Sequence, residues 1–139
     1  YSPRTKFATQ IGTCAPEKEL ADRRAAFYPH YGINTVRLHK FADGTGWSGI
    51  QSKESAAEYD AAGLERMDYQ VAKFREAGLY VLLSAHFGTL KLGPADRREV
   101  PYLDEFGTFS GRNERVAAPH SAFFYSRELQ NVHIRQIVN

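Results

Sequence analysis

Gly32-Ile33-Asn34-Thr35-Val36-Arg37-Leu38-His39 and Gly78-Leu79-Tyr80-Val81-Leu82-Leu83-Ser84-Ala85-His86 are the two stretches that decide the architecture of this chain. Each opens on a glycine, runs through β-branched or large apolar residues and ends in a histidine, the pattern of a strand that starts just after a turn. The second is nearly continuous in apolar residues, as expected of a strand with both faces covered in a parallel sheet. Between them, Asp60 is a good helix N-cap, Leu64, Met67, Val71 and Phe74 recur at helical spacing, and Gly78 is the expected stop just past the helix. The stretch from Gly32 to His86 therefore predicts a strand, a long polar and glycine-rich loop (Lys40 to about Tyr59), a helix and a second strand.

Upstream, Lys6 to Gly12 alternates weakly and predicts a short strand. Ala15-Pro16-Glu17 resembles a helix start, with proline early and acids in the first turn. Leu20, Arg24, Phe27, Tyr28 and Tyr31 follow at helical spacing, and Pro29 is expected to end or distort that helix. Downstream, Phe87 to His120 is rich in Gly, Pro, Asp and Arg and predicts a long loop, a feature that in compact domains is usually functional or disordered. Ser121 is then expected to cap a last helix carrying Phe124, Leu129, Val132 and Ile137. Strands alternating with helices imply parallel βαβ units, which fit both a dinucleotide-binding sheet and a barrel. The first βα turn, Ile11-Gly12-Thr13-Cys14-Ala15, holds no G-x-G-x-x-G, and no G-x-x-x-x-G-K-[ST] occurs anywhere. The expectation is an α/β fold: a parallel (β/α)8 TIM barrel, of which residues 1–139 hold about the first three βα units as a partial domain truncated before the fourth strand. A whole barrel takes roughly 250 residues.

Composition excludes several classes. The 139 residues are 42% hydrophobic and 24% charged, with a net charge of +2. Acids and bases are interspersed, so no block suggests a nucleic-acid or anionic-membrane surface. Cys14 is the single cysteine, so there is neither an intrachain disulfide nor a thiolate cluster for structural zinc. No apolar run approaches the roughly 20 residues of a membrane helix. No signal peptide is visible, but the sequence opens on Tyr1 rather than Met. Oligomeric state is not legible.

Chemistry is expected at the C-terminal ends of the strands, where active sites of parallel α/β proteins sit. Side chains alternate along a strand, so Ile33, Thr35, Arg37 and His39 share one face and Leu82, Ser84 and His86 share one face of the next. If those faces point into a barrel, Arg37, His39 and His86 converge at its mouth. A charge inside an apolar strand calls for a partner; Arg37 either holds an ionised carboxylate or snorkels at the strand end. His39 and His86 are either site groups or satisfied core histidines. Two or three histidines could ligate a metal, but no HxH or HExxH occurs, and His30 and His133 fall on helices expected outside the barrel. Trp47, in the loop after the second strand, either offers a stacking platform for a sugar ring or packs onto its own loop. Asp43, Asp104 and Glu105 are loop acids, most simply solvated.

Gly32 to His39 resembles the second-strand motif of glycoside hydrolase family 5 and its cellulase-like relatives in clan A, with Asp43 near the acid that often follows it. Leu64-Glu65-Arg66-Met67-Asp68-Tyr69 is similar to the next helix of those enzymes, Gly78 to His86 to their third strand, and Phe123-Phe124 through Leu129-Gln130 to the helix before their fourth. The resemblance implies an O-glycosyl hydrolase acting on a polysaccharide or oligosaccharide by a retaining two-glutamate mechanism. It places Arg37 and His86 in the wall of the −1 sugar subsite; His39, by its strand parity, and Trp47, by its place in the loop after the second strand, are further substrate-binding candidates. The acid/base would follow an asparagine ending the fourth strand and the nucleophile would end the seventh. Neither strand is in this sequence, and the one Asn-Glu pair, Asn113-Glu114, lies in a loop. These residues alone are thus expected to be an inactive, marginally stable piece of a hydrolase. Its partner would be a carbohydrate, with no cofactor, metal, nucleic acid or membrane, and a secreted or periplasmic location is favoured for the full-length protein. A metal-dependent barrel hydrolase using His39 and His86, and a non-catalytic carbohydrate-binding barrel, are the alternatives.

Overall fold

The computed structural model describes residues 6–9, 15–39, 50–84, 90–109 and 114–139, with the backbone alone at 6–9 and at position 39. Three strands, β1 (Lys6–Thr9), β2 (Ile33–His39) and β3 (Tyr80–Ser84), form one parallel sheet in the order β1-β2-β3. Helix α1 (Lys18–His30) joins the first two and α2 (Ala61–Glu76) the second two. Val36 and Leu38 are fully buried, packed with Ala25 and Tyr28 of α1 and with Met67 and Phe74 of α2. Both helices therefore cover the same face of the sheet, as right-handed crossovers between successive neighbouring strands require. On the other face Tyr80 is 74% exposed and Leu82 49% exposed.

The α2 helix follows from its sequence. Asp60 takes the Gly63 N–H at 2.7 Å, and Gly78, at φ 75°, ends the helix. Its N–H donates to the Arg75 carbonyl, and the Leu79 N–H reaches back to Phe74 at 2.8 Å, the paired bonds that turn a helix end straight into a following strand. By contrast, α1 departs from expectation. It starts at Lys18, with Pro16 outside it, and runs through Pro29 to His30. Pro29 sits in the last turn, where the missing N–H costs one bond only, and Gly32 at φ 69° closes the turn by donating to the Pro29 carbonyl. The buried face of α1 is Ala21, Ala25 and Tyr28, whereas Leu20, Phe27 and Tyr31 are exposed. Small alanines let α1 lie close against α2, and the Phe27 and Tyr31 rings stack on each other at 4.4 Å instead of on the core.

The loop expected from Phe87 to His120 has a core of its own in its described part. Strands β4 (Lys91–Leu92) and β5 (Val116–Ala117) pair antiparallel, with 3-10 turns at Pro94–Arg98 and Leu103–Phe106 between them. Leu90, Leu92, Val100, Leu103, Val116 and Ala118 are buried together with Leu129 and Val132. The expected single last helix is two: α3 (His120–Tyr125) and α4 (Arg127–Val138). Ser126, not Ser121, is the cap, accepting the Leu129 N–H at 3.1 Å and hydrogen-bonding the Tyr102 hydroxyl. Breaking there puts Leu129 and Val132 into the loop core and leaves Phe124 and Ile137 exposed.

Gly93 lies directly against the backbone of residues 53 and 54. A Cβ there would stand 2.3 Å from the Glu54 carbonyl oxygen and 2.8 Å from that of Lys53. Gly93→Ala should therefore cost about 1–3 kcal/mol by forcing two backbones apart. Urea denaturation checks this, with a lower midpoint expected and an unchanged slope.

Candidate functional site

Arg37 and Ser84 form the described part of the site. In the parallel register Arg37 lies opposite Leu82 and His39 opposite Ser84, so Arg37, Leu82 and Ser84 share the face that the helices do not cover. The Arg37 side chain reaches forward along the sheet, and its Nη2 donates to Ser84 Oγ at 2.9 Å. Its Nε is buried with no hydrogen-bond partner among the described residues. The group is half-buried and oriented, with a donor left to offer. Arg37 thus sits where the strand alternation places it, while Ser84 was not singled out in the sequence; the parity that aligned it with Arg37 was its only signal. The side chain of His39, all of His86 and Trp47, and Asp43 lie outside the described residues.

The loop acids separate into two kinds. Asp104 and Glu105 are exposed, and Arg97 grips Asp104 with two hydrogen bonds, 3.0 Å from Nε and 2.7 Å from Nη2. Those bonds hold the Asp104 carboxyl below its usual range. This is a surface pair that contributes little to stability. Asp96, which sequence reading passed over, is 3% exposed. Its Oδ1 accepts from Ser55 Oγ at 2.6 Å, and its Oδ2 from the backbone N–H groups of Ala56 at 2.8 Å and Gly93 at 2.7 Å. Fully buried Gln51 adds bonds from Nε2 to the carbonyls of Ala56 and Lys91, both 3.3 Å. Together they tie the loop leaving the C-terminal end of β2 to the loop leaving that of β3. A groove of about 500 Å³ opens beside this tie, lined by Gln51, Ser52, Lys53, Glu54, Tyr59, Asp60 and Ala61.

The chain matches no protein-family model, no curated protein and no solved structure. Among the described residues no helix is long and apolar enough to cross a membrane. Among them, too, no three His, Cys, Asp or Glu residues stand together as metal ligands, although the two strand-end histidines fall outside that set. The arrangement offers an oriented guanidinium and a hydroxyl at the C-terminal edge of a parallel sheet. It suits binding an anionic or hydroxyl-rich group there.

Asp96 makes the site's loops depend on one carboxylate. Asp96→Asn keeps the shape but replaces an acceptor oxygen with an N–H₂ facing a donor. The expected loss is about 1.5–3 kcal/mol, the scale of a buried hydrogen bond to a charged group. Chemical denaturation measures it, and limited proteolysis should show faster cleavage within 50–59 and 90–109.

Proposed function

We propose that this chain forms the first arc of a (β/α)8 barrel in a retaining glycoside hydrolase, and that its partner is a polysaccharide or oligosaccharide. The observation that carries the reading is a consecutive parallel sheet covered by helices on one face, with Arg37 tethered to Ser84 on the other. Parallel sheets occur almost only with both faces covered. In a doubly wound sheet the second face would be packed under further helices and would favour apolar residues. A barrel instead turns that face inward and carries polar groups at its upper end. Arg37 and Ser84, at the C-terminal end of their strands, suit that interior edge. Leu83, 56% exposed on the helix side of β3, suits a sheet and helix layer that continue past β3.

In this reading Arg37 holds a carboxylate in its ionised form. Retaining hydrolysis uses two carboxyl groups roughly 5–5.5 Å apart, one charged as nucleophile and one protonated as acid. A fixed guanidinium lowers the pKa of its neighbour and so helps part the two values. His86, His39 and Trp47 would bind sugar hydroxyls and ring faces around it. The resemblance of Gly32–His39 and Gly78–His86 to the second and third strands of the clan A enzymes supports the same assignment.

The test is hydrolysis of aryl glycosides by the full-length protein, with the anomeric outcome followed by NMR. Net retention of configuration is expected. Arg37→Ala, folded by circular dichroism, should lower kcat/KM by at least ~100-fold, the scale of one strong transition-state electrostatic contact. Arg37→Lys should also impair the enzyme, because the planar fork is lost while the charge stays. A folded Arg37→Ala with near wild-type kcat/KM would reduce Arg37 to a structural charge. The 139 residues by themselves should hydrolyse nothing.

A further inference from the structure

We infer that Ser84 is the positioning residue for Arg37, and that the guanidinium is presented correctly only while the Ser84 hydroxyl holds Nη2. The catalytic consequence of this inference rests on the glycosidase reading; the positioning itself does not.

The argument starts from the backbone. Arg37 and Ser84 are on adjacent parallel strands, two residues out of step, since the register partner of Arg37 is Leu82. An arginine side chain spans that stagger, and the 2.9 Å bond closes it. Arginine has about 2 kcal/mol of rotamer entropy to lose on being fixed. The neighbour in register, Leu82, offers no acceptor. A serine oxygen has two acceptor lone pairs and a proton of its own, so it can take Nη2–H and still donate onward. With Nη2 engaged, Nε is the buried donor left without a partner among the described residues, and its direction is then set by the plane of the fork. Removing the hydroxyl leaves both groups unpartnered at a half-buried position, and the guanidinium must turn to satisfy them.

Ser84→Ala and Ser84→Thr, each alone and combined with Arg37→Ala, test this in the full-length protein. Ser84→Ala should lower kcat/KM roughly 10-fold, on the scale of one charge-assisted hydrogen bond. Its acidic limb in the kcat/KM–pH profile should move to higher pH, because a displaced cation stabilises the ionised carboxylate less. Ser84→Thr retains the hydroxyl and should restore both. In the Arg37→Ala background, Ser84→Ala should cost nothing more. A second readout needs no activity. The Arg37 Nε–H resonance, assigned by its loss in Arg37→Lys, should exchange slowly with solvent in the wild type and in Ser84→Thr, and rapidly in Ser84→Ala. Additive losses, or an Nε–H resonance unchanged in Ser84→Ala, would overturn the inference. Rapid exchange in Ser84→Ala but not in Ser84→Thr, in a protein whose wild type hydrolyses no glycoside, would support the positioning and overturn the hydrolase reading.

Discussion

Arg37 brings a full positive charge into a strand whose neighbours in sequence, Val36 and Leu38, are completely buried. A charge there is tolerable only because strand alternation turns it to the opposite face, away from α1 and α2. The two faces of the sheet thus have opposite chemistry. One is a continuous apolar layer through Val36, Leu38, Phe74, Met67 and Tyr28; the other holds Arg37, Ser84 and exposed Tyr80 and Leu82. The geometry of the site depends on that segregation. If the charge lay on the helix face, burial without a carboxylate would cost several kcal/mol, and the packing of both helices would fail with it.

The loops above the sheet extend the same logic. A loop cannot be buried unless its backbone groups are paired, and residues 50–59 and 90–109 meet part of this demand through one shared acceptor and one shared donor. Asp96 takes donors from both loops and Gln51 donates to carbonyls in both. The Asn139 side chain also donates to the Ala57 carbonyl at 3.0 Å, and the Tyr59 hydroxyl to the Gln136 carbonyl, so α4 is joined to the same assembly. The result is a second core, around Leu92, Val100, Leu103 and Leu129, separate from the one beneath the sheet. Buried side chains and shared hydrogen bonds thus fix these loops in place beside the sheet.

How far this was legible differs from element to element. The β2 and α2 segments were, because Asp60, the spacing of Met67 and Phe74, and the Gly78 stop all point the same way, and local signals that agree are the readable ones. The α1 helix was legible as a helix but not in its orientation. Of the large residues at helical spacing Tyr28 is buried, but helix packing joined it with the small residues Ala21 and Ala25 and left Leu20, Phe27 and Tyr31 exposed. The core of 90–118 was hidden because its apolar residues follow no period, and a periodic template cannot detect a fold built from two-residue strands and 3-10 turns. Asp96 was hidden for a related reason. A buried structural carboxylate and a solvated loop carboxylate are the same letter, and only the donors brought by Ser55, Ala56 and Gly93 tell them apart. At the site, alternation placed Arg37, but its partner, 47 residues away in sequence, depended on the register between two strands, which no local pattern encodes.

That register is itself fixed far from the site. Gly32 and Gly78, both at positive φ, end α1 and α2 and set where β2 and β3 begin. From Gly32 the fifth residue is Arg37, and from Gly78 the sixth is Ser84. Their side chains meet only if both strands keep the phase those stops impose. A slip of one residue in either strand would send its side chain to the helix face, and in β2 Val36 and Leu38 oppose that slip because it would expose them while burying Arg37. The apolar layer on one side of the sheet is therefore what holds the polar pair together on the other. The two glycines control the site's geometry from its opposite edge, although neither touches it.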